Sequence, residues 1–301
     1  MSVLITGASG SICKHLSHKL QKNDFEVKFL TANLNKTSEK QNIYYWNIDK
    51  REIDDRAFEG VNYIVHLAGA GIANQRWTKE RKRVLVQSRV GGAALLLDTI
   101  KRLNKTIKKY ISAGAIGIFD ENCINANEQS AQGSDFMATL CKEWENTIIP
   151  YQEHGISTTL FRSGIVIDQS SGFYEQIAKL AKYYIAAVPG SGKQWVSWIS
   201  KDDMVDMYFK SITDDSVQGI YNATAPNPVQ LKEMIKRICQ NENRPLFLPN
   251  IPAFILKLIF GEMAQVILSS KHVIPSKWVS ENRGFEHKLL SEALNMPLNE
   301  N

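Results

Sequence analysis

Val3-Leu4-Ile5-Thr6-Gly7-Ala8-Ser9-Gly10-Ser11-Ile12-Cys13 decides how the rest of the chain is read. Residues 2–6 form a short apolar run of the kind found in a buried strand, and a helical stretch follows over residues 11–22. A glycine turn between a first strand and a first helix is the context in which such loops hold a pyrophosphate. Gly7 permits the tight turn. Gly10 lets the backbone approach the phosphates, whose charge then faces the helix N-terminus. The third position of the pattern, ordinarily a glycine where helix meets strand, is Cys13, which is small and apolar.

Working outward, residues 26–30, 61–67, 109–112 and 158–167 read as further strands. Helical stretches over residues 78–103 and 136–149 alternate with them, and a loop rich in Asn, Gln and Gly precedes the second. That rhythm predicts an α/β fold, a Rossmann doubly wound parallel sheet with right-handed crossovers. Eight of the nine prolines fall from Pro189 onward, ending with Pro297, and so many should interrupt a regular βαβ pattern. The expected division is therefore a dinucleotide-binding domain of residues 1–165 and 198–225. A smaller α/β substrate lobe would take residues 166–197 and 226–301.

Composition narrows the function. Of 301 residues, 44% are hydrophobic and 22% charged, and the net charge of +5 suits a phosphate-bearing ligand without requiring nucleic acid. The four cysteines lie far apart and the six histidines form no pair at metal spacing, so neither a disulfide framework nor a metal site is expected. The reading favours a cytoplasmic protein without a signal peptide or membrane span. The most apolar stretch, residues 251–268, is broken by Lys257, Gly261 and Glu262, which predicts a buried or amphipathic helix instead.

Strand two runs into Thr31-Ala32-Asn33. An acid there would hold the ribose hydroxyls of NAD, and an arginine would take the NADP phosphate. Neither is present. The missing acid favours NADP over NAD, with Asn33 and Lys36 as candidate donors.

The chain resembles the extended short-chain dehydrogenase/reductases, in particular the atypical branch of epimerase family proteins related to NAD-dependent epimerases/dehydratases and sugar-nucleotide epimerases. The resemblance runs nearly end to end. It is carried by Thr6–Ile12, His66-Leu67-Ala68-Gly69, Arg76-Trp77-Thr78, Ser88-Arg89, Leu140–Glu145, Arg162–Val166, Gly190–Trp195, Trp198-Ile199 and Gly261-Glu262. It implies an NADP or NAD site formed by Gly7, Ser9, Gly10, Ser11, Ile12, Thr31, Ala32, Asn33, Leu67, Ala68, Gly69, Arg89 and Val166. Arg89 is expected as an anion contact because its guanidinium suits a bidentate clasp. A small-molecule substrate of the nucleotide-sugar class is implied, with Arg76, Trp77, Trp195 and Trp198 lining its cleft. The loop Gly190-Ser191-Gly192-Lys193 is expected to close over that cleft.

The family's catalytic pair is Tyr-x-x-x-Lys with a nearby Ser or Thr, in which the lysine lowers the phenol's pKa so that it can pass a proton. None of the ten tyrosines here has lysine four residues later. Phe136 or Met137 stands where the tyrosine belongs, and Leu140 or Cys141 where the lysine belongs. Arg89 stands in place of an asparagine that many extended members keep. Two functions stay open: an enzyme using other groups, with Lys142, Ser112, Arg76 and Tyr110 as candidates, or a non-catalytic dinucleotide sensor or scaffold.

Overall fold

The computed structural model describes residues 1–295, so Pro297 lies outside the described residues. The first half carries strands β1 (Ser2–Thr6), β2 (Glu26–Thr31), β3 (Ile43–Asn47), β4 (Glu52–Ile53), β5 (Val61–His66), β6 (Lys109–Ala115) and β7 (Cys123–Ala126). Between and after them lie helices α1 (Ser11–Gln21), α2 (Lys79–Val86), α3 (Gly92–Arg102), α4 (Phe136–Asn146) and α5 (Ile149–Glu153). The second half adds β8 (Ser157–Ser163), β9 (Ile165–Ile167), β10 (Trp195–Val196), β11 (Trp198–Ser200), β12 (Gly219–Ala223), β13 (Val229–Gln230) and β14 (Lys271–Val273). Its helices are α6 (Gly172–Lys182), α7 (Lys201–Thr213), α8 (Leu231–Asn241), α9 (Ala253–Phe260) and α10 (Ala264–Leu268).

Eight strands form one sheet in the order β12-β8-β6-β5-β1-β2-β3-β4, parallel throughout except where β3 meets β4. This is the doubly wound parallel sheet that the strand and helix rhythm predicts. Because strand side chains alternate, β1 serves two cores. Val3 and Ile5 pack with Leu16 and Leu20 of α1 and Met204 and Tyr208 of α7. Leu4 faces the other way, onto Leu96 and Ile100 of α3 and Tyr151 of α5. All five residues of β1 are buried, which is why it reads as one apolar run.

A second sheet, β13-β10-β14-β7, and the pair β9–β11 build the region beside it, with α6 and α8 packed on Trp198, Val196 and Ile167. Here the structure departs from the sequence reading at four points. The polar loop before α4 contains β7, which pairs with β14 in the second sheet although it lies within residues 1–165. The helix expected over residues 78–103 is α2 and α3 joined by a wide π turn, Gln87–Gly91, which holds Arg89 buried. At its end Gly92 packs closely on His66, and a Cβ there would come to 3.0 Å from the ring. Residues 251–268 form α9, a tight turn and α10, and Phe254, Leu258 and Ile259 of α9 face outward rather than into a core. Trp198, expected in the substrate cleft, has no exposed surface and donates its indole N–H to Asn227 O at 2.9 Å, so it is core packing. Among the described residues no helix is long and apolar enough to cross a membrane.

Candidate functional site

In a doubly wound sheet a ligand crosses the crevice outside the C-terminal strand ends, where the strand order reverses. Here that point lies between β1 and β5. Gly7 has φ +79, and a Cβ on it would come within 3.1 Å of the Leu67 and Ala68 backbone. The residue must therefore be glycine for the two loops to meet. Gly10 caps α1 in an extended conformation and offers no side-chain acceptor. The first helical hydrogen bond is Lys14 N–H to Gly10 O. The N–H groups of Ser11, Ile12 and Cys13 consequently point out of the helix end without a helical partner. Ile12, Leu67 and Val166 are half-buried apolar groups packed against the core that β1 shares with α1 and α7.

The loop is braced from below by Thr6. Its Oγ accepts the N–H groups of Leu67 (3.1 Å) and Ala68 (2.9 Å), so its own proton goes to His66 Nδ1 at 2.8 Å. That leaves the His66 Nε2–H to face Arg89 O at 3.4 Å. Burial lowers the His66 pKa to about 4, so the ring is a neutral brace rather than an acid or base. From the far side, Asp168 accepts the Ser11 and Ser171 hydroxyls and the Ser170 N–H. Burial would raise this carboxyl, but those hydrogen bonds outweigh it and hold the group well below the carboxylate range. Asp168 had no signal in the sequence, because its partner Ser11 is 157 positions away.

At the end of β2, Thr31 is half-buried and Ala32 and Asn33 are exposed. The Asn33 side-chain oxygen Oδ1 is already used, accepting the Asn35 N–H at 3.0 Å. Arg89 departs from the anion clasp expected of it. The residue is 6% exposed and its guanidinium donates to Leu85 O (3.1 Å), Ala70 O (3.1 Å) and Ser88 Oγ (3.4 Å). It stacks 4.8 Å from the Trp144 ring and lies directly under Gly69, where an added Cβ would come within 3.1 Å of it. Three of its five N–H groups thus go to the protein rather than to an anion.

Met137 and Cys141 are buried on the inner face of α4. A Cβ on Gly117 would come within 3.1 Å of Met137 Cε and 3.3 Å of Cys141 Sγ, so these two point together toward the loop after β6. Burial pushes the Cys141 thiol up to about 12, so it is uncharged at neutral pH. The substitutes suggested by sequence are mostly out of reach. Ser112 is fully buried and donates to Ala113 O, and Tyr110 is fully buried against Tyr151 with ring centroids 3.8 Å apart. Lys142 is half-buried, one position round the helix from Cys141.

Beyond α4 lies a cleft of about 1160 Å³, lined by Lys82 and Phe136, by Gly190, Ser191 and Lys193, and by Lys257, Gly261 and Glu262. The Gly190–Lys193 loop thus forms one wall of it. Arg76 is exposed at its rim, with its guanidinium 3.1 Å from where a Gly261 Cβ would lie. Trp77 is buried, meets Phe136 edge-to-face with ring centroids 5.0 Å apart and donates its indole N–H to Ile72 O, so it shapes the wall from behind. Trp195 is half-buried against His272. Lys82 pairs with Glu262, whereas Lys193 and Lys257 have no ion-pair partner among the described residues.

The NAD dependent epimerase/dehydratase family profile matches residues 3–224, and that of a domain of unknown function (DUF1731) matches residues 251–295. The chain is 30% identical to the epimerase family protein SDR39U1 homolog, chloroplastic, of Arabidopsis thaliana, over 98% of this chain and 86% of that one. It is 29% identical to the epimerase family protein ML0860 of Mycobacterium leprae, over 97% and 94% of the two chains. Among solved structures, the human epimerase family protein SDR39U1 with NADPH superposes with a TM-score of 0.85 at 21% identity, over 98% of each chain. A Thermotoga maritima UDP-glucose 4-epimerase with UDP-glucose gives 0.76 at 18% identity, over 98% and 97%.

Proposed function

The chain belongs to the NAD dependent epimerase/dehydratase family, and from that premise we propose that it binds NADP(H), and NAD(H) less tightly, across the crevice between β1 and β5. One observation carries the reading: the cradle at Gly7 and Gly10 brings three unpartnered N–H groups of α1 to the strand-order switch point. That arrangement matches a pyrophosphate in charge and in closeness of approach. Gly7, Ser9, Gly10, Ser11 and Ile12 hold the diphosphate, and Thr31, Ala32 and Asn33 flank the adenosine ribose without an acid to favour NAD. Leu67, Ala68, Gly69 and Val166 cover the nicotinamide half. The bound cofactor would supply hydride exchange at its nicotinamide ring.

A phosphate-bearing small molecule of the nucleotide-sugar class is the proposed ligand of the cleft beyond α4. The unpaired ammonium groups of Lys193 and Lys257 suit its diphosphate, and relatives of the same fold were solved with UDP-glucose. Any reaction there runs without the tyrosine–lysine pair. Met137 carries no proton to give and Cys141 is held protonated, while a positioned acid/base is typically worth about 10²–10⁴-fold. Those same two residues favour a second reading, a sensor that binds dinucleotide and ligand without turnover.

Mass spectrometry of the protein as purified should find NADP or NADPH. Calorimetry on Gly10→Val tests the cradle. An added Cβ meets only Gly7 O, at 3.3 Å, so the variant should fold yet lose dinucleotide binding. Unchanged affinity would defeat the proposal. Following nicotinamide absorbance with UDP-glucose and simple carbonyl compounds separates enzyme from sensor.

A further inference from the structure

We infer that Arg89 selects the oxidation state of the cofactor, making the site bind the reduced dinucleotide more tightly than the oxidised one. The inference rests on the dinucleotide reading above and adds to it a residue that acts by its charge. Arg89 is a buried cation with no carboxylate within 4.0 Å among the described residues. Its three acceptors, two carbonyls and a hydroxyl, are neutral, and its Nε is buried with no partner among the described residues. Burial lowers its pKa to about 10, which still leaves it charged at neutral pH. The positive charge is therefore fixed, uncompensated and shielded from water.

Its position gives that charge a target. The residues after β2 take the adenosine end, so the opposite end of a dinucleotide lies over β5 and β6. Arg89 lies under Gly69 at the end of β5 and beside Trp144 of α4, one turn beyond Cys141. It reaches this place because the π turn at Gln87–Gly91 turns it inward. The cation that the family carries on α4 is absent, and a cation from the neighbouring helix stands in the same region. Three of the five guanidinium N–H groups go to the protein and the Nε is buried, so what the arginine offers the ring is field rather than contact. Oxidised and reduced nicotinamide differ by one positive charge on the ring. That charge is repelled by the guanidinium, and the neutral reduced ring is not.

The experiment measures dissociation constants of NADPH and NADP⁺ for the full chain by calorimetry. NADPH should bind at least about tenfold more tightly, equivalent to roughly 1.4 kcal/mol. In Arg89→Gln that ratio should fall toward one, and Arg89→Lys should restore much of it. Cys141→Asp provides a second route that does not depend on the π turn surviving the loss of Arg89. It leaves the arginine in place and sets a carboxylate beside it, so it too should shrink the ratio. Equal affinities in the parent, or an undiminished ratio in either folded variant, would overturn the inference. Failure to bind either form would overturn the dinucleotide reading itself.

Discussion

Thr6 does with one hydroxyl what the glycine loop cannot do for itself. It holds Leu67 N–H and Ala68 N–H and hands its own proton to His66, joining the ends of β1 and β5 beneath the crevice. Thr6→Val keeps the shape and β-branching but strands two buried N–H groups and a ring nitrogen. Unfolding in urea should show a loss of about 2 kcal/mol or more. His66 makes a pH prediction whose sign follows from its lowered pKa. The unfolded ring takes a proton near pH 6.5, and the folded one only near pH 4. Stability contributed by the neutral ring is thus complete above about pH 6.5 and is lost as pH falls toward 4, by on the order of 3 kcal/mol. Urea midpoints taken through that window should fall less steeply in His66→Gln. Gly7→Ala pairs with the Gly10 test: with φ at +79 and backbone 3.1 Å away, it should cost about 1–3 kcal/mol of stability, where Gly10→Val costs binding.

At the scale of elements, α4 turns Met137, Cys141 and Glu145, each four residues from the next, inward on one face. Glu145 on its last turn holds Arg162 of β8 through two hydrogen bonds of 2.6 and 2.8 Å, with both side chains buried. Breaking such a pair leaves one buried charge, so Glu145→Gln should destabilise the fold by about 3 kcal/mol or more in thermal or urea unfolding. On the inner face, Met137→Tyr with Cys141→Lys rebuilds the family pair in sequence. It should nevertheless give no turnover with UDP-glucose, because the new ammonium would lie in the field of the Arg89 guanidinium. Adding Arg89→Asn should recover part of the stability lost on introducing the lysine, a coupling that a double-mutant cycle reads directly. Additive costs would mean that the two cations do not share a site.

For the whole molecule, the large sheet positions the crevice, and the second sheet, with α9 and α10, places the basic cleft against it. Reversing Lys193 and Lys257 to glutamate should weaken UDP-glucose binding by at least about tenfold while leaving NADPH affinity within about twofold. Equal losses for both would mean that the two sites are not separate. We keep the division into residues 1–165 with 198–225 against the remainder as a proposal. Limited proteolysis tests it, with early cuts expected at the junctions near residues 166 and 226. β7 pairs with β14 across that division, so it should hold the fragments together after cutting.

Local chemistry by itself determined the fold of this protein. A fully buried β1 followed by Gly7 and Gly10, then apolar strands alternating with helices, dictates a doubly wound sheet because each signal acts over a few neighbouring residues. The absence of a Tyr-x-x-x-Lys pair was equally plain, since a missing side chain needs no structure to be missed. Tertiary structure alone decided what depends on long-range proximity. It buried Trp198, Ser112 and Tyr110, which composition could not distinguish from cleft residues, and it turned α9 outward. It joined Ser11 to Asp168 and placed Arg89, through an extra residue in one helical turn, as an unpaired charge beside Cys141. Those facts depend on which surfaces meet after folding, and no spacing along the chain records that.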